Sequence, residues 1–343
     1  MTVAAETTRP ADQVSYYSTI YGLQIQFNER VPGLSFSSSQ SGTPELQVDF
    51  GAMPAWFGNE PLTRDLRYVR TDDAEPSQKP RLLVWSIGDY YHLQYKDGTE
   101  FIVDHAGTRV WATWPADTLT LEDTATYLLG PIMGFVLLLR GFVSLHACAV
   151  AIDDQAIAIV GPAGSGKSTT AAGFAELGYA ILAEDVVTLR EPGASFMVQP
   201  GYPSIRLWPS SVKALYGSTA TLPRLTPTWD KRYLDLTQSQ YDFHNQPLPL
   251  AAIYLFAERT GPPAPFVREM TASEALLSLI ANTYATYLMD RQMRAREFEL
   301  LNRVLKSVPI RRVTPHADAR RIGGLCRTIV EDFRCITSQP MER

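Results

Sequence analysis

Residues Gly161–Thr169 carry the residue types needed to hold a phosphate chain. They read Gly-Pro-Ala-Gly-Ser-Gly-Lys-Ser-Thr, which satisfies the pattern G-x-x-x-x-G-K-[ST]. The apolar run Ala156–Val160 before them predicts a buried strand, and Thr170–Leu177 after them predicts a helix. A glycine turn between a strand and a helix presents free backbone N–H groups to an anion. The segment therefore predicts a site for a nucleoside triphosphate.

Each residue type in this motif has an expected role. Gly161, Gly164 and Gly166 let the backbone bend around phosphate oxygens without a Cβ in the way. Lys167 would place its charge at the β and γ phosphates, and the Ser168 hydroxyl would ligate Mg²⁺. The expected cofactors are ATP and Mg²⁺, with GTP left open because no base-reading motif is evident. The predicted nucleotide-binding residues are Gly161, Pro162, Ala163, Gly164, Ser165, Gly166, Lys167, Ser168 and Thr169.

Two acids end the next apolar strand. Glu184 and Asp185 follow the run Tyr179–Ala183, and the carboxyl ends of strands in an open α/β sheet lie at one edge. A carboxylate at that edge can accept the proton of an attacking hydroxyl or hold Mg²⁺ against the γ phosphate. The alternative is a solvated strand end without a function.

A histidine interrupts the apolar run Val143–Ile152. Lone histidines in such strands are usually hydrogen-bonded core residues, which is one interpretation of His146. The other follows from the hairpin turn predicted at Asp153-Asp154, which would pair this strand with the one leading into the glycine motif. His146 would then approach the γ-phosphate side of the site.

The spacing of these residues resembles the kinase domain of HPr kinase/phosphorylase. That family has a histidine in a Leu-His segment, a glycine loop ending in Gly-Lys-Ser, and an acidic pair at a strand end. His146, Lys167 and the run Gly178–Asp185 match these features at similar intervals, so the resemblance covers about residues 140–190. It implies a P-loop kinase core with a mainly parallel or mixed sheet.

The resemblance also implies roles for individual residues. The catalytic carboxylate of the family falls on Asp185, and the other catalytic residues fall on His146 and Lys167. The metal-binding residues implied are Ser168 and Glu184, where Glu184 replaces the first aspartate of the family's acidic pair.

A longer pattern resembles the HPr-kinase-related proteins of peptide-modification gene clusters, including lasso-peptide kinases. Its shared elements are Tyr21–Ile25, Arg140-Gly141, Leu145–Ala147 and Pro200–Trp208. The last segment occupies the region where the HPr enzyme has a further metal-binding glutamate, so the phosphorylase activity of that enzyme is not carried over. The resemblance implies a kinase whose partner is a peptide or small protein.

Three further cations are candidates for a charge clamp on the triphosphate, namely Arg206, Lys231 and Arg232, with exposed basic turns as the alternative. Residues 291–327 hold ten Lys or Arg and three Asp or Glu, a local net charge of +7. That region is either a docking surface for an acidic partner or a solvated helix surface.

Length and composition indicate two domains of an α/β protein. Alternating runs predict a β-rich N-terminal recognition or support domain at 1–118, followed by the kinase-like domain at 119–335 and a tail at 336–343. Helices are expected at 272–282, 290–306 and 317–333, and a polar loop at 72–80. A helix beginning at Thr120 and ending at Gly141 is also expected.

Composition also limits the cellular setting and the partners. A net charge of −5 argues against a general nucleic-acid binder. The three cysteines show no metal-ligand spacing, which is typical of reduced thiols in the cytoplasm. The N-terminus has no signal-peptide pattern, and the apolar run Tyr127–Leu139 is too short to span a bilayer. We therefore expect a cytoplasmic protein without a membrane or nucleic-acid partner, with homo-oligomerisation left open.

Three functions remain from the sequence. The first is a kinase that transfers the γ phosphate of ATP to a Ser or Thr hydroxyl of a peptide or small protein, such as a lasso-type precursor. The second is a small-molecule hydroxyl kinase on the same core. The third is a nucleotide-dependent switch or sensor without kinase activity, which is disfavoured because no switch loop is recognisable.

Overall fold

The structure is a computed structural model that describes residues 14–37, 42–58, 63–71, 80–193 and 195–338. The polar loop predicted at 72–80 lies outside the described residues except for Pro80 at its end. Two compact units are present. Of the described residues, those up to position 140 other than 20–22 form the first unit, and residues 20–22 together with those from position 141 onwards form the second.

The first unit contains one eight-stranded sheet, built from runs in which apolar residues alternate with polar ones. In Leu23–Phe27, for example, the apolar side chains are buried and the two glutamines between them are partly exposed. The strands are β1 (Tyr16–Ile20), β2 (Leu23–Phe27), β3 (Leu46–Phe50), β4 (Asp65–Arg70), β5 (Leu82–Ile87), β6 (Tyr90–Tyr95), β7 (Glu100–Asp104) and β8 (Arg109–Thr113).

The strand order of this sheet is β1-β2-β3-β8-β7-β6-β5-β4. Strand β3 pairs in parallel with β2 and β8, and the neighbours from β8 to β4 are antiparallel. The hairpin turn at Lys96–Thr99 joins β6 to β7, with Gly98 in the left-handed region at φ 93°. The β-rich character expected of the N-terminal part is present.

A long apolar helix belongs to the first unit. It consists of α1 (Leu121–Tyr127), a π-helical turn at Leu128–Ile132 and α2 (Met133–Leu139). The predicted cap is present, because the Thr120 backbone N–H donates to Asp123 Oδ2 at 2.9 Å. Among the described residues, Leu121–Leu139 is the one helix with the length and apolarity of a membrane span, and 78% of its most apolar window is buried. Because the helix includes Leu121–Thr126 as well as the run Tyr127–Leu139, its length does not exclude a bilayer span, and its burial is the property that favours a core helix.

The second unit is a mixed α/β structure. Its elements are β9 (Val143–Ile152), β10 (Gln155–Val160), α3 (Lys167–Glu176), β11 (Ile181–Ala183), β12 (Val186–Arg190), β13 (Met197–Gln199), β14 (Ser204–Leu207), α4 (Pro209–Tyr216), β15 (Arg232–Asp235), β16 (Leu248–Phe256), β17 (Phe266–Glu269), α5 (Ala272–Ala281), α6 (Arg291–Ser307), β18 (Ile310–Thr314) and α7 (Ile322–Ser338).

Strand β10 lies inside the main sheet of this unit. It pairs antiparallel with β9 and parallel with β16. The sheet order is β10-β9-β12-β13-β16-β18-β17, and the β10–β16 pairing closes the first five of these strands into a ring. Asp153 and Asp154 form the predicted hairpin turn between β9 and β10, with φ 49° and 59°. Strands β14 and β15 form a separate two-stranded ribbon.

Helices cover both faces of the main sheet. Ile157 and Ile159 of β10 pack in one apolar cluster with residues of α3 and α7. Ala158 and Val160 point to the other face and pack in a second cluster with residues of α5 and α6. Continuous apolar strands predict such two-sided burial, so the expectation of a mixed α/β arrangement is confirmed.

Some boundaries differ from the sequence-based ones. The two units divide after Arg140 rather than after residue 118, because the apolar helix packs with the N-terminal sheet. Tyr21 and Gly22 form a turn with φ 55° and 75°, so the alternating run Tyr21–Phe27 is a strand only from Leu23 onwards. The last helix begins at Ile322 rather than at residue 317 and continues to Ser338, into the predicted tail.

Candidate functional site

The segment Gly161–Thr169 forms the connection between β10 and α3, and we call it the glycine loop. Gly164 and Gly166 have φ angles of 79° and 106°, which favour glycine. A Cβ at Gly166 would also meet the guanidinium of Arg259, which would have to move. The loop therefore favours glycine at these two positions for backbone geometry.

Lys167 is buried at the start of α3. Its Nζ donates to the carbonyl oxygens of Gly161 at 2.7 Å and Pro162 at 2.9 Å, so the ammonium group lies across the loop. Burial lowers the pKa of Lys167 below its usual value, because the charged form loses solvation.

Ser168 and Glu184 meet beside the loop. The Ser168 hydroxyl donates to Glu184 Oε1 at 2.6 Å. Glu184 is only 5% exposed, and its Oε2 has no hydrogen-bond partner among the described residues, with Arg206 Nε at 3.7 Å. A hydroxyl next to a buried carboxylate with an unsatisfied oxygen is a donor set that suits a hard divalent cation.

The site fits Mg²⁺ in the way a nucleotide site does. Among the described residues there is no group of three or more His, Cys, Asp or Glu side chains that could hold a metal. Mg²⁺ commonly takes one or two protein oxygens and completes its shell with phosphates and water. Ser168 and Glu184, the residues predicted from the sequence, lie side by side, as such a pair of protein oxygens would.

Asp185 receives contacts from three side chains. Arg206 Nη2 donates to Asp185 Oδ2 at 2.9 Å, and the Tyr284 hydroxyl donates to the same oxygen at 3.1 Å. His146 Nε2 lies 3.4 Å from Asp185 Oδ1. The predicted histidine and the predicted carboxylate therefore meet, and Oδ1 is the oxygen that faces the histidine.

These contacts keep Asp185 ionised. Burial by itself would raise the pKa of this carboxyl group. The hydrogen bond with His146 and the positive charges of Arg206 and Lys231 more than offset burial and hold the pKa of Asp185 well below its usual range. At neutral pH the residue is a carboxylate, the form that can accept a proton.

The backbone is strained at both ends of the Asp185–Tyr284 contact. Asp185 has φ 71°, and Ala285, next to Tyr284, has φ 57°. Left-handed backbone in residues other than glycine costs free energy and is concentrated at functional positions. The strain marks these two places as ones where side-chain direction is tightly constrained.

One cavity of about 570 Å³ joins these groups. Six of the nine residues of the glycine loop line it, all except Gly161, Pro162 and Ser165. Both acids, His146 and two of the three predicted clamp residues, Arg206 and Lys231, also line it. Arg232 is not among its lining residues, since it pairs with Leu207 in the ribbon, so its predicted role in a charge clamp is not supported. The lining residues are His146, Ala163, Gly164, Gly166, Lys167, Ser168, Thr169, Glu184, Asp185, Arg206, Trp208, Ser210, Ser211, Lys231, Arg259 and Ala319.

Arg206 has a different position from the one expected of a mobile clamp. It is only 7% exposed and lies against both acids, at 3.7 Å from Glu184 Oε2 and 2.9 Å from Asp185 Oδ2. One buried guanidinium is thus shared by two neighbouring carboxylates, and its single positive charge offsets only one of their two negative charges. Lys231 is the freer of the two cations, and its Nζ lies 5.0 Å from the centre of the Trp208 ring.

Sequence reasoning missed two residues of this site. Arg259 lies over the glycine loop, with its Nη2 at 3.4 Å from the Ser165 carbonyl oxygen. It follows β16, the parallel neighbour of β10, so the strand-end rule that located Asp185 could also have located Arg259. Tyr284 had no such signal, because it reaches Asp185 through pairing of Thr283 with Leu145 of β9.

The chain matches no protein-family model and no curated protein. Among solved structures it matches the HPr(Ser) kinase/phosphatase from Coxiella burnetii, with 12% identity and a TM-score of 0.33. The match covers 57% of this chain and 99% of that chain. At this TM-score the backbones agree too little for activity to be carried from one protein to the other.

Proposed function

We propose that the protein is an ATP-dependent kinase that transfers the γ phosphate to a Ser or Thr hydroxyl of a peptide or small protein. The observation that carries the proposal is the meeting of Lys167, the Ser168–Glu184 pair and ionised Asp185 in one cavity. Binding of a triphosphate with Mg²⁺ needs Lys167, Ser168 and Glu184, whereas transfer of phosphate to a hydroxyl needs the Asp185 carboxylate.

The residues of the glycine loop account for nucleotide binding. Free N–H groups at the start of α3 face the phosphates, and Lys167 adds a cation to them. Ser168 and Glu184 would hold Mg²⁺, which when bound supplies further positive charge to the β and γ phosphates. Arg259 adds a guanidinium beside the loop, where it can stabilise charge on the transferred group.

Asp185 accounts for the transfer step. Its Oδ2 is occupied by Arg206 and Tyr284, which fix the direction of the carboxylate. Its Oδ1 remains to accept the proton of the attacking hydroxyl, with His146 beside it. In-line attack of the hydroxyl oxygen on the γ phosphorus forms the new P–O bond and breaks the bond to the β–γ bridging oxygen, which leaves with ADP. The hydroxyl proton passes to Oδ1 of the carboxylate.

The acceptor is proposed from the sequence. The segments Tyr21–Ile25 and Pro200–Trp208 resemble those of HPr-kinase-related proteins encoded with peptide-modification clusters. This supports a ribosomal precursor peptide, of the lasso type, as the substrate. The β-rich N-terminal unit is the proposed recognition element for that peptide.

The test is phosphate transfer from labelled ATP by the full chain. Serine-bearing peptides, including any precursor peptide encoded beside the gene, are compared with the same peptides carrying alanine at each serine. Incorporation that depends on the serine and disappears in Asp185→Asn supports the proposal. Release of inorganic phosphate without transfer to any hydroxyl would instead indicate a nucleotide-dependent switch, and transfer only to small alcohols would indicate a small-molecule kinase.

A further inference from the structure

Trp208 is unusually exposed for its type. All six tryptophans lie in the described part of the chain, and Trp208 alone is exposed, at 54%, whereas the others are buried or half-buried. Tryptophan side chains are on average largely buried. The exposed ring lines the same cavity as the glycine loop. An aromatic face in a ligand cavity is a surface on which a planar group can stack.

The Trp208 ring lies at the end of the cavity where the nucleoside of a bound triphosphate would extend beyond the glycine loop. In this loop type the lysine contacts the β and γ phosphates and the following hydroxyl binds the metal. The α phosphate and nucleoside therefore extend past Thr169, the next residue of α3. The Thr169 hydroxyl donates to Ser211 Oγ at 2.8 Å, and Ser211 is in the first turn of α4, which Trp208 caps.

The fold holds the ring within reach of a bound triphosphate. Leu207, the last residue of β14, points into the apolar core, whereas its chain neighbours Arg206 and Trp208 point the other way and line the cavity. Lys231 connects the ring to the phosphate region. Its Nζ lies 5.0 Å from the ring centre, and its charge also acts on Lys167.

We propose that Trp208 is the platform on which the nucleobase stacks, with the hydroxyls of Ser210 and Ser211 facing the ribose. The inference rests on the proposed nucleotide-binding function and adds to it the location of the base. Stacking does not distinguish adenine from guanine, because both present a purine face to the ring. ADP and GDP are therefore expected to bind with similar affinity.

The test measures binding to the full chain by titration calorimetry, using MgADP, MgGDP and inorganic pyrophosphate with Mg²⁺. Base–aromatic stacking corresponds to a change in Kd of about 5-fold to 150-fold. Trp208→Ala should raise the Kd of both nucleotides by this factor and leave the Kd of pyrophosphate unchanged. Trp208→Phe should keep most of the affinity. The matched control is Phe298→Ala on α6, which removes an exposed aromatic ring outside the cavity and should change nothing.

The possible outcomes separate the stacking role from nucleotide binding itself. Unchanged nucleotide affinity in Trp208→Ala would overturn the stacking role and assign the ring to the acceptor side of the cavity. Equal weakening of ADP and pyrophosphate would also overturn it, because the ring would then only support the cavity. If the unmodified protein binds neither ADP nor pyrophosphate, the proposed function itself fails.

Discussion

Replacing Arg206 by methionine tests the electrostatic design of the site without needing an acceptor. Arg206 is buried between Glu184 and Asp185, and both carboxylates depend on it for compensation. Removing one partner of a buried charged group leaves the remaining charge unpaired and costs about 3–5 kcal/mol. For a unit of this size we expect a fall in the melting temperature on the order of 10 °C at neutral pH.

The contribution of Asp185 to the unfolding free energy depends on pH. Its pKa in the folded state lies below its pKa in the unfolded state, which is about 4, so its ion pairing stabilises the folded state above that pH. This stabilisation is lost as the pH falls through the folded pKa. Arg206→Met removes the part of that stabilisation that the guanidinium supplies, leaves the part from His146, and raises the pKa of Asp185. The difference in unfolding free energy between the two proteins should therefore be largest near neutral pH and should shrink as Asp185 becomes protonated.

The assay is urea unfolding across a pH series, with Arg224→Met as the matched control. Arg224 forms an exposed ion pair with Asp230 at 3.6 Å, and the loss of such a pair costs about 0–1 kcal/mol. Addition of Mg²⁺ should stabilise Arg206→Met more than the unmodified protein, because a cation can replace the lost charge. A loss below about 1 kcal/mol, or one that does not change with pH, would refute the idea that Arg206 holds the acidic pair together.

Further predictions concern the other residues of the cavity. Lys167→Ala should slow phosphate transfer by about 10²-fold or more, measured with labelled ATP, and an unchanged rate would contradict the role of the glycine loop. Asp185→Asn should keep nucleotide binding and slow phosphate transfer by about 10²- to 10⁴-fold. Glu184→Gln should instead raise the Mg²⁺ concentration required for transfer. If Asp185→Asn raises that Mg²⁺ concentration and Glu184→Gln does not, the roles of the two acids are exchanged. Tyr284→Phe removes a donor to the Asp185 carboxylate and so raises its pKa, which should move the acid limb of the pH–rate profile to higher pH. A profile identical to that of the unmodified protein would exclude this positioning role.

Local patterns in the sequence were sufficient for the central part of the site. The apolar runs that became β9 and β10 and the glycine loop between β10 and α3 are encoded within about thirty residues. The strand-end rule placed Asp185 beside the glycine loop, and the hairpin placed His146 near the same site. The pairing of Val186 with His146 brings the two side chains together. Residues that are close in the sequence could thus be assigned to one edge of the sheet.

The remaining contacts depend on long-range register, which local patterns do not encode. Tyr284 meets Asp185 across 99 positions and Arg259 meets Ser165 across 94 positions. The short ribbon that carries Arg206 was also missed, because a four-residue strand has too few residues to show an alternation. Its position on the two acids follows from tertiary packing.

The different pairing of the strands around the cavity has a consequence for hydrogen exchange. Both edges of β10 are bonded, to β9 and β16, so its amide hydrogens should exchange with solvent only when the whole unit opens. The ribbon of β14 and β15 has only two strands, and such pairs are marginally stable by themselves. Its amides should therefore exchange faster, which gives the cavity a slowly exchanging wall under the phosphates and a more labile wall that carries Arg206 and Trp208.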